Sequence, residues 1–578
     1  MYNYINNFKE RNDLKDNFGG NALLMYALQL RYDIEDIVSV ASEALTDGHN
    51  DKKCDLIYID KDAGFAVIAQ AYMKESPQDS DLAPSNKASD LNTAAAWVFS
   101  RNIEDVPEQI RGAVQELQES INNGDINSIY FWYVHNLNEK NNKEVQNELN
   151  TVQITSQKLV NNFSEEEDII KVIAMEIGNS TIEKWYNSSN KRIEIEDEMH
   201  VETNGEGFEI IEQEWKACVT AVSGKWLRNL YIKYKEDELF SGNPRNYLGA
   251  GKRKNKINLG IMQTVENAPK NFWAYNNGVT ALVNSYDLHD DKTLDIMGIT
   301  IINGAQTTGA IASTEEILDD FWVPIRFIVC SNTKIIEEIV NNNNKQNEIL
   351  PSDLRSNDKQ QERLRNEFKK YPQIFYNGGR RDDRRPKNKE VFDPYMVAQT
   401  ITAFHGDPVK AYNNRKSIWD DEKDYNFIFS DQLSAEHIIY IYSLARSIDE
   451  YKFELKDMKE TRTEKQNEQY NFLCRRGSKM LLIYVIAESL ECIFQKRIVS
   501  PWDTCFKDNS DFDKLVMLWK LVVKSLISFS GNLLPALDGG LKNKEIANNT
   551  AKQVVAIVDS VQEILSVQLK DFIDAVAK

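Results

Sequence analysis

The sequence predicts a multidomain α/β (α+β) protein with an all-helical C-terminal region. Three observations carry that expectation. The chain has 578 residues, well beyond the roughly 250–300 at which a single core stops growing. Residues 1–140 alternate helical and extended apolar patterns, the order of an α/β domain. From about residue 431 onward the apolar residues recur at three-to-four spacing, as in Leu481, Leu482, Val485, Ile486 and Leu490, which marks helices. A hydrophobic fraction of 42% and a charged fraction of 27% fit a soluble globular chain. The apolar runs, including 479–493, are too short or too interrupted to span a bilayer. No basic and apolar leader opens the sequence, so a cytoplasmic location without membrane contact is expected.

Four regions follow in order. Residues 1–140 read as an apolar helix around 21–45, a strand pair near 55–59 and 64–72, a helix from Leu91 and a strand over 128–135. A polar stretch at 136–150 opens a second α/β segment, a connector covering 141–230. Residues 231–430 carry the most unusual motifs, and 431–578 form the helical region, where Val554, Ile557, Val561, Ile564, Leu565 and Leu569 continue the helical spacing. The six cysteines are scattered without Cys-x-x-Cys pairs, so neither zinc nor disulfides are expected. The six histidines suggest no nucleophilic triad.

A net charge of −20 argues against non-specific coating of nucleic acid. Two local basic runs remain: Arg245 with Lys252, Arg253, Lys254 and Lys256, and Arg380, Arg381, Arg384, Arg385, Lys387 and Lys389. Either could be a solvated loop or a nucleic-acid contact. Between them lie two asparagine-glycine segments, Phe272-Trp273-Ala274-Tyr275-Asn276-Asn277-Gly278 and Ile301-Ile302-Asn303-Gly304-Ala305-Gln306-Thr307-Thr308. β-prone runs border both, so each belongs at a strand end, where amides and exposed backbone can meet a polar ligand. Asn-Gly also serves simple hairpin turns, but turn chemistry does not call for Gln306, Thr307 and Thr308 after the glycine. Trp273 and Tyr275 could stack on a base, although Trp273 is expected in the core. Downstream, Ser352 or Asp353 can cap a helix beginning near Leu354, with Leu354, Leu364 and Phe368 on its buried side.

In the N-terminal region, Asp55 stands at the end of one strand of a hairpin, while Gln70, Tyr72 and Lys74 share one face of the next. That order resembles the PD-(D/E)xK nuclease superfamily in its Mrr-like, glutamine-containing form, and implies a restriction-endonuclease-like α/β domain. The resemblance implies that Asp55 and Gln70 ligate Mg²⁺ or Mn²⁺, that Lys74 orients the attacking water, and that an upstream helix adds an acid, Glu43 first and Glu35 second. The family's lysine position is Tyr72 here, with Lys74 one step further along the same face.

Leu239-Phe240-Ser241-Gly242-Asn243-Pro244-Arg245, the two asparagine-glycine segments and Asn343-Asn344-Lys345-Gln346-Asn347-Glu348-Ile349-Leu350-Pro351 together resemble the AIPR family, named for abortive phage infection, over about residues 232–404. Asn303-Gly304-Ala305-Gln306-Thr307 followed by Asn344-Lys345-Gln346-Asn347 is more distantly similar to the DGQHR and ParB-like families. This implies a nucleotide- or nucleic-acid-binding cleft holding Asn276, Asn277, Gly278, Asn303, Gly304, Gln306, Thr307, Asn344, Gln346 and Asn347. Thr307 replaces the motif's basic residue, so Arg245 is expected to supply the charge, with Arg380 and Arg381 further off. No Walker motif is present.

The expected function is an anti-phage effector that cleaves or nicks DNA or RNA with a metal, its central domain sensing a nucleotide, nucleic acid or phage product. Two alternatives stand beside it: a sensor with a degenerate nuclease domain, and a ParB-like nucleotide hydrolase. A homodimer would suit the cutting of two strands.

Overall fold

The computed structural model describes residues 2–577 except 33, 49, 62, 79, 140–142, 164–169, 189–192, 194, 206, 241–255, 290–291, 315–320, 331, 333–334, 337, 340–342, 344–354, 356–357, 379–388, 416 and 459–460. The chain forms two compact units. One gathers Met1–Ile34, Tyr58–Ser100 and Leu117–Glu348; the other gathers Glu35–Ile57, Arg101–Glu116 and Ile349–Lys578.

The first unit contains most of a four-stranded sheet ordered β1 (Leu56–Asp60), β2 (Phe65–Tyr72), β3 (Ser128–His135) and β4 (Lys171–Ile177). The last three strands are parallel. Parallel strands need crossovers, which the helices Ser85–Phe99 and Lys143–Phe163 help supply. β2 is buried continuously from Phe65 through Gln70, as expected of a strand covered on both faces.

A second sheet holds seven strands: β5 (Ile195–Glu202), β6 (Phe208–Ile211), β7 (Trp215–Ser223), β8 (Val279–Leu282), β9 (Ser285–Leu288), β10 (Thr293–Asn303) and β11 (Trp322–Cys330). Their order is β5-β10-β8-β11-β7-β6, with β9 also on β10. One face packs Phe272, Ile299, Ile301, Val323, Ile325 and Phe327 into a continuous core.

The second unit is mainly helical. Ala435–Met458, Ser478–Phe494, Phe512–Leu526 and Lys544–Ser560 are its longest helices. Trp519 is fully buried against Tyr440, and its indole N–H donates to the Tyr440 carbonyl at 2.8 Å. The apolar run at 479–493 lies in the helix Ser478–Phe494, most of whose residues are buried. Among the described residues no helix is long and apolar enough to cross a membrane. The six cysteines are unbridged.

Two local expectations are corrected. The apolar stretch at 21–45 is not one helix but two, Ala22–Tyr32 and Ile37–Ala44. Asp36 starts the second, its carboxylate accepting the Ser39 N–H at 3.0 Å; a side chain that satisfies a free helix-end donor also sets where the helix begins. Further on, the helix carrying Leu364 and Phe368 spans Lys359–Phe368 and is capped by Asp358, which accepts from the Gln360 N–H. Leu364 and Phe368 are buried as expected, whereas Ser352, Asp353 and Leu354 lie outside the described residues.

Candidate functional site

The two asparagine-glycine segments meet on the second sheet. Gly278 leads into β8 and Gly304 follows the last residue of β10, with φ of 79° and 95°, a region that favours glycine. A Cβ on Gly278 would fall 2.3 Å from the Pro324 carbonyl oxygen, and one on Gly304 would fall 2.7 Å from the Gly278 oxygen. Backbone therefore lies against backbone at this point, and any side chain would separate the segments.

Strand register adds polar groups to the junction. Thr280 pairs with Asn303 on one side and with Arg326 on the other. The Arg326 Nε and Nη2 donate to Thr280 Oγ1 at 3.2 and 2.9 Å. Nη2 also donates to Asn343 Oδ1 at 2.9 Å, while Asn303 Nδ2 donates to the Asn343 carbonyl at 2.8 Å. Asn343 is anchored in turn through its Nδ2 to the Ile339 carbonyl at 2.8 Å. The guanidinium thus meets Asn343 of one sequence motif, which Asn303 of a second also holds, and Thr280, two residues past the third. Arg326 is exposed, and among the described residues no carboxylate pairs with it; neutral oxygens hold it instead. Among the described residues its Nη1 has no hydrogen-bond acceptor, a donor arrangement that suits an oxyanion.

The helix Ala305–Ser313 starts directly after Gly304, and no side chain caps its first turn. Its first backbone N–H groups give this end of the sheet a positive bias. Gln306 is half-buried on it, while Thr307 and Thr308 are buried and Thr308 Oγ1 donates to the Gly304 carbonyl at 2.9 Å.

Asn276 is used locally: its backbone N–H and its Nδ2 both donate to the Phe272 carbonyl, at 3.1 and 3.2 Å. Asn277 is exposed. Trp273 was expected in the core and is instead 53% exposed, as is Tyr275 at 66%. The reason is the single helical turn Phe272–Tyr275. Successive helical residues point about 100° apart, so burying Phe272 against Phe321, ring centroids 4.5 Å apart, turns Trp273 outward. Arg245, Asn344, Gln346, Asn347, Arg380 and Arg381 lie outside the described residues.

Sequence reasoning missed Arg326, Thr280 and Asn343. A signal existed for Arg326, the lone charge within Trp322–Cys330, an otherwise apolar strand. Thr280 was unreadable without the register that puts it beside Arg326, and Asn343, though part of the quoted Asn-rich motif, was not among the residues expected in the cleft.

The nuclease-like constellation is arranged differently. Asp55 precedes β1 and is 8% exposed; Gln70 in β2 is 6% exposed. Lys74 follows β2 by two residues, its main chain clasped by the Asn136 amide at 2.9 and 2.8 Å and its ammonium 2.7 Å from Asp81. That hydrogen bond from Lys74, helped by the Gln78 N–H, holds the Asp81 carboxyl below its usual range. Glu43 is exposed on the helix Ile37–Ala44, and Glu35 accepts from Asn377 Nδ2 at 3.0 Å. Asp55, Glu43 and Glu35 belong to one compact unit, Gln70 and Lys74 to the other. Among the described residues no three His, Cys, Asp or Glu side chains gather as a metal site. Mg²⁺ takes six oxygen ligands, so with Asp55 and Gln70 as donors most of the shell would have to come from water and substrate phosphate.

A buried network at the end of the parallel strands was also unforeseen. His135 Nδ1 accepts the Leu137 N–H at 3.2 Å, so Nε2 carries the proton toward Glu176 Oε1 at 3.0 Å. Glu176 Oε2 accepts from Gln146 at 2.7 Å. The side-chain polar atoms of His135 and Glu176 are satisfied internally, which suits a structural role.

A protein-family model described as AIPR protein matches residues 240–530. The match takes in the Arg326 junction and runs past residue 404 into the helical unit. No curated protein and no solved structure gave a match.

Proposed function

This chain belongs to the AIPR family of abortive-infection anti-phage defence, and from that premise we propose that its central sheet holds the sensing site, which binds a phosphate-bearing ligand, a nucleotide or nucleic acid. The observation that carries the reading is Arg326, a guanidinium fixed by Thr280 and Asn343 with no carboxylate partner among the described residues, where two glycine-backed motifs touch. The exposed Trp273 and Tyr275, a few residues upstream of β8, offer faces on which a base can stack. This reading assigns phosphate to Arg326 together with Arg245, which lies outside the described residues.

Binding of labelled nucleotides and short single-stranded DNA and RNA to the full-length protein tests this. A hydrogen bond to a charged group contributes about 1.5–3 kcal/mol, so Arg326→Ala should weaken binding roughly 10- to 100-fold. Arg326→Lys should recover only part, because the two-pronged geometry is lost. Unchanged affinity in Arg326→Ala would remove the site from this reading.

The second reading assigns metal-dependent phosphodiester cleavage to Asp55, Gln70 and Lys74, with Glu43 in support. Its basis is the residue order and the burial of Asp55 and Gln70. Plasmid DNA and total RNA, incubated with the protein and Mg²⁺ or Mn²⁺ and then with chelator, should be cut only with metal present. Asp55→Ala should abolish the cutting, and cleavage that persists in that variant would place the chemistry elsewhere.

A further inference from the structure

The outermost strand of the seven-stranded sheet is an open edge with a distinctive chemistry. Among the described residues β6 pairs only with β7, in antiparallel register from Phe208↔Val219 to Ile211↔Lys216. Beyond it, the Glu212 N–H donates to the Trp215 carbonyl at 2.9 Å, making 212 and 215 a hydrogen-bonded pair. Antiparallel ladders alternate bonded and non-bonded pairs. Residues 208 and 210 therefore turn their peptide groups toward β7, and Glu209 and Ile211 turn theirs outward. Among the described residues, neither of those outward N–H groups has a backbone acceptor.

Native edge strands are usually blunted by lysine, proline or a bulge. Phe208-Glu209-Ile210-Ile211 has no lysine or proline and displays apolar side chains: Phe208 is 58% exposed, Ile210 44% and Ile211 69%. Such an edge is a template for an added strand, with main-chain bonds giving affinity and alternate side chains giving selectivity.

Charge decides what can add. Residues 194–214 contain nine aspartates and glutamates and no lysine or arginine. Asp197 is matched by Lys233 at 3.0 Å, but exposed Glu209 and Glu212 flank the apolar side chains on the edge itself. Two copies of β6 pairing across a two-fold axis would gather Glu209 and Glu212 of both copies along one short seam, which self-repulsion disfavours, and a nucleic acid would be repelled. We infer that β6 is a docking edge for an extended segment of another protein that alternates apolar residues with lysine or arginine and adds antiparallel to Glu209 and Ile211. Phe208 lies two strands from Arg326 in the row Arg326↔Val219↔Phe208, and the inference does not rest on the phosphate reading of Arg326.

The test titrates the full-length protein with a labelled synthetic peptide alternating valine and lysine, followed by fluorescence anisotropy. Parallel titrations use the same sequence with glutamate for lysine, and with N-methyl groups on the amides of one edge. Ile211→Pro removes one outward donor while sparing the bonds to β7, and proline is tolerated on edge strands. The lysine peptide should bind saturably, the glutamate and N-methyl peptides should not, and Ile211→Pro should weaken binding about tenfold, about 1.4 kcal/mol. Equal binding of the N-methyl peptide would overturn the proposal even if the proline variant failed to fold. So would binding that Ile211→Pro leaves untouched, or a wild-type dimer by light scattering that Ile211→Pro converts to monomer, since a second copy would then be the occupant.

Discussion

Arg446→Met will lower the stability of the helical unit by about 3–5 kcal/mol at neutral pH, the cost typical of leaving a buried charge without its partner. Arg446 is 7% exposed, and its Nη2 lies 3.2 Å from Asp36 Oδ1, while Glu390 takes a second, closer bond from the same nitrogen. Asp36 also accepts from the Tyr442 hydroxyl and the Ser39 N–H. Burial alone would push the Asp36 carboxyl up; Arg446, Tyr442 and Ser39 outweigh it and hold it below the usual range. Methionine has the length to fill the space but no charge, so Asp36 becomes a buried carboxylate with a raised pKa. The sign with pH follows. A carboxyl whose folded pKa is depressed contributes stability above its unfolded pKa and loses it as pH falls through the folded value; one whose folded pKa is raised recovers stability on acidification. The gap between wild type and variant should therefore narrow from pH 7 to pH 5 in denaturant titrations. A gap that is constant with pH would mean the loss is packing rather than charge.

Gly278→Ala should cost about 3 kcal/mol and abolish ligand binding at the Arg326 junction. Two terms combine: about 1–2 kcal/mol for a left-handed conformation with a Cβ, and about 1–3 kcal/mol for forcing atoms into a packed site. The new methyl would start 2.3 Å from the Pro324 oxygen, and moving β11 away would carry Arg326 off Thr280, its partner across that pair of strands. Gly260→Ala is the matched control. It lies in the helix Lys256–Asn267 with nothing within 4 Å of the added carbon, so alanine should be neutral or stabilise by up to about 1 kcal/mol. Thermal unfolding and nucleotide titration of both variants check this. Normal stability with normal binding in Gly278→Ala would show that the glycine contact is not needed.

Much of the local structure was legible because it depends on near neighbours. The strand at 128–135 was bounded correctly, since a run of β-branched and aromatic residues has one natural register. Both asparagine-glycine segments were placed at strand ends, because a positive-φ residue beside extended runs leaves few alternatives. The break between Tyr32 and Ile37 was not legible. Its apolar pattern continues across it, and the Asp36 cap is reinforced by Tyr442 and Arg446, some 400 residues away.

By itself the sequence determined the α/β and helical division, the family resemblance that the match over 240–530 bears out, and the glycines that a close approach requires. Tertiary structure decided that Arg326 stands beside Thr280, by parallel pairing of β11 with β8. It also decided that Trp273 faces solvent, and that an acidic, apolar strand stands at the sheet's edge. The physical reason is common to all three. Burial and strand pairing join residues remote in the chain, and the free energy that orients a side chain comes from those partners rather than from its sequence neighbours.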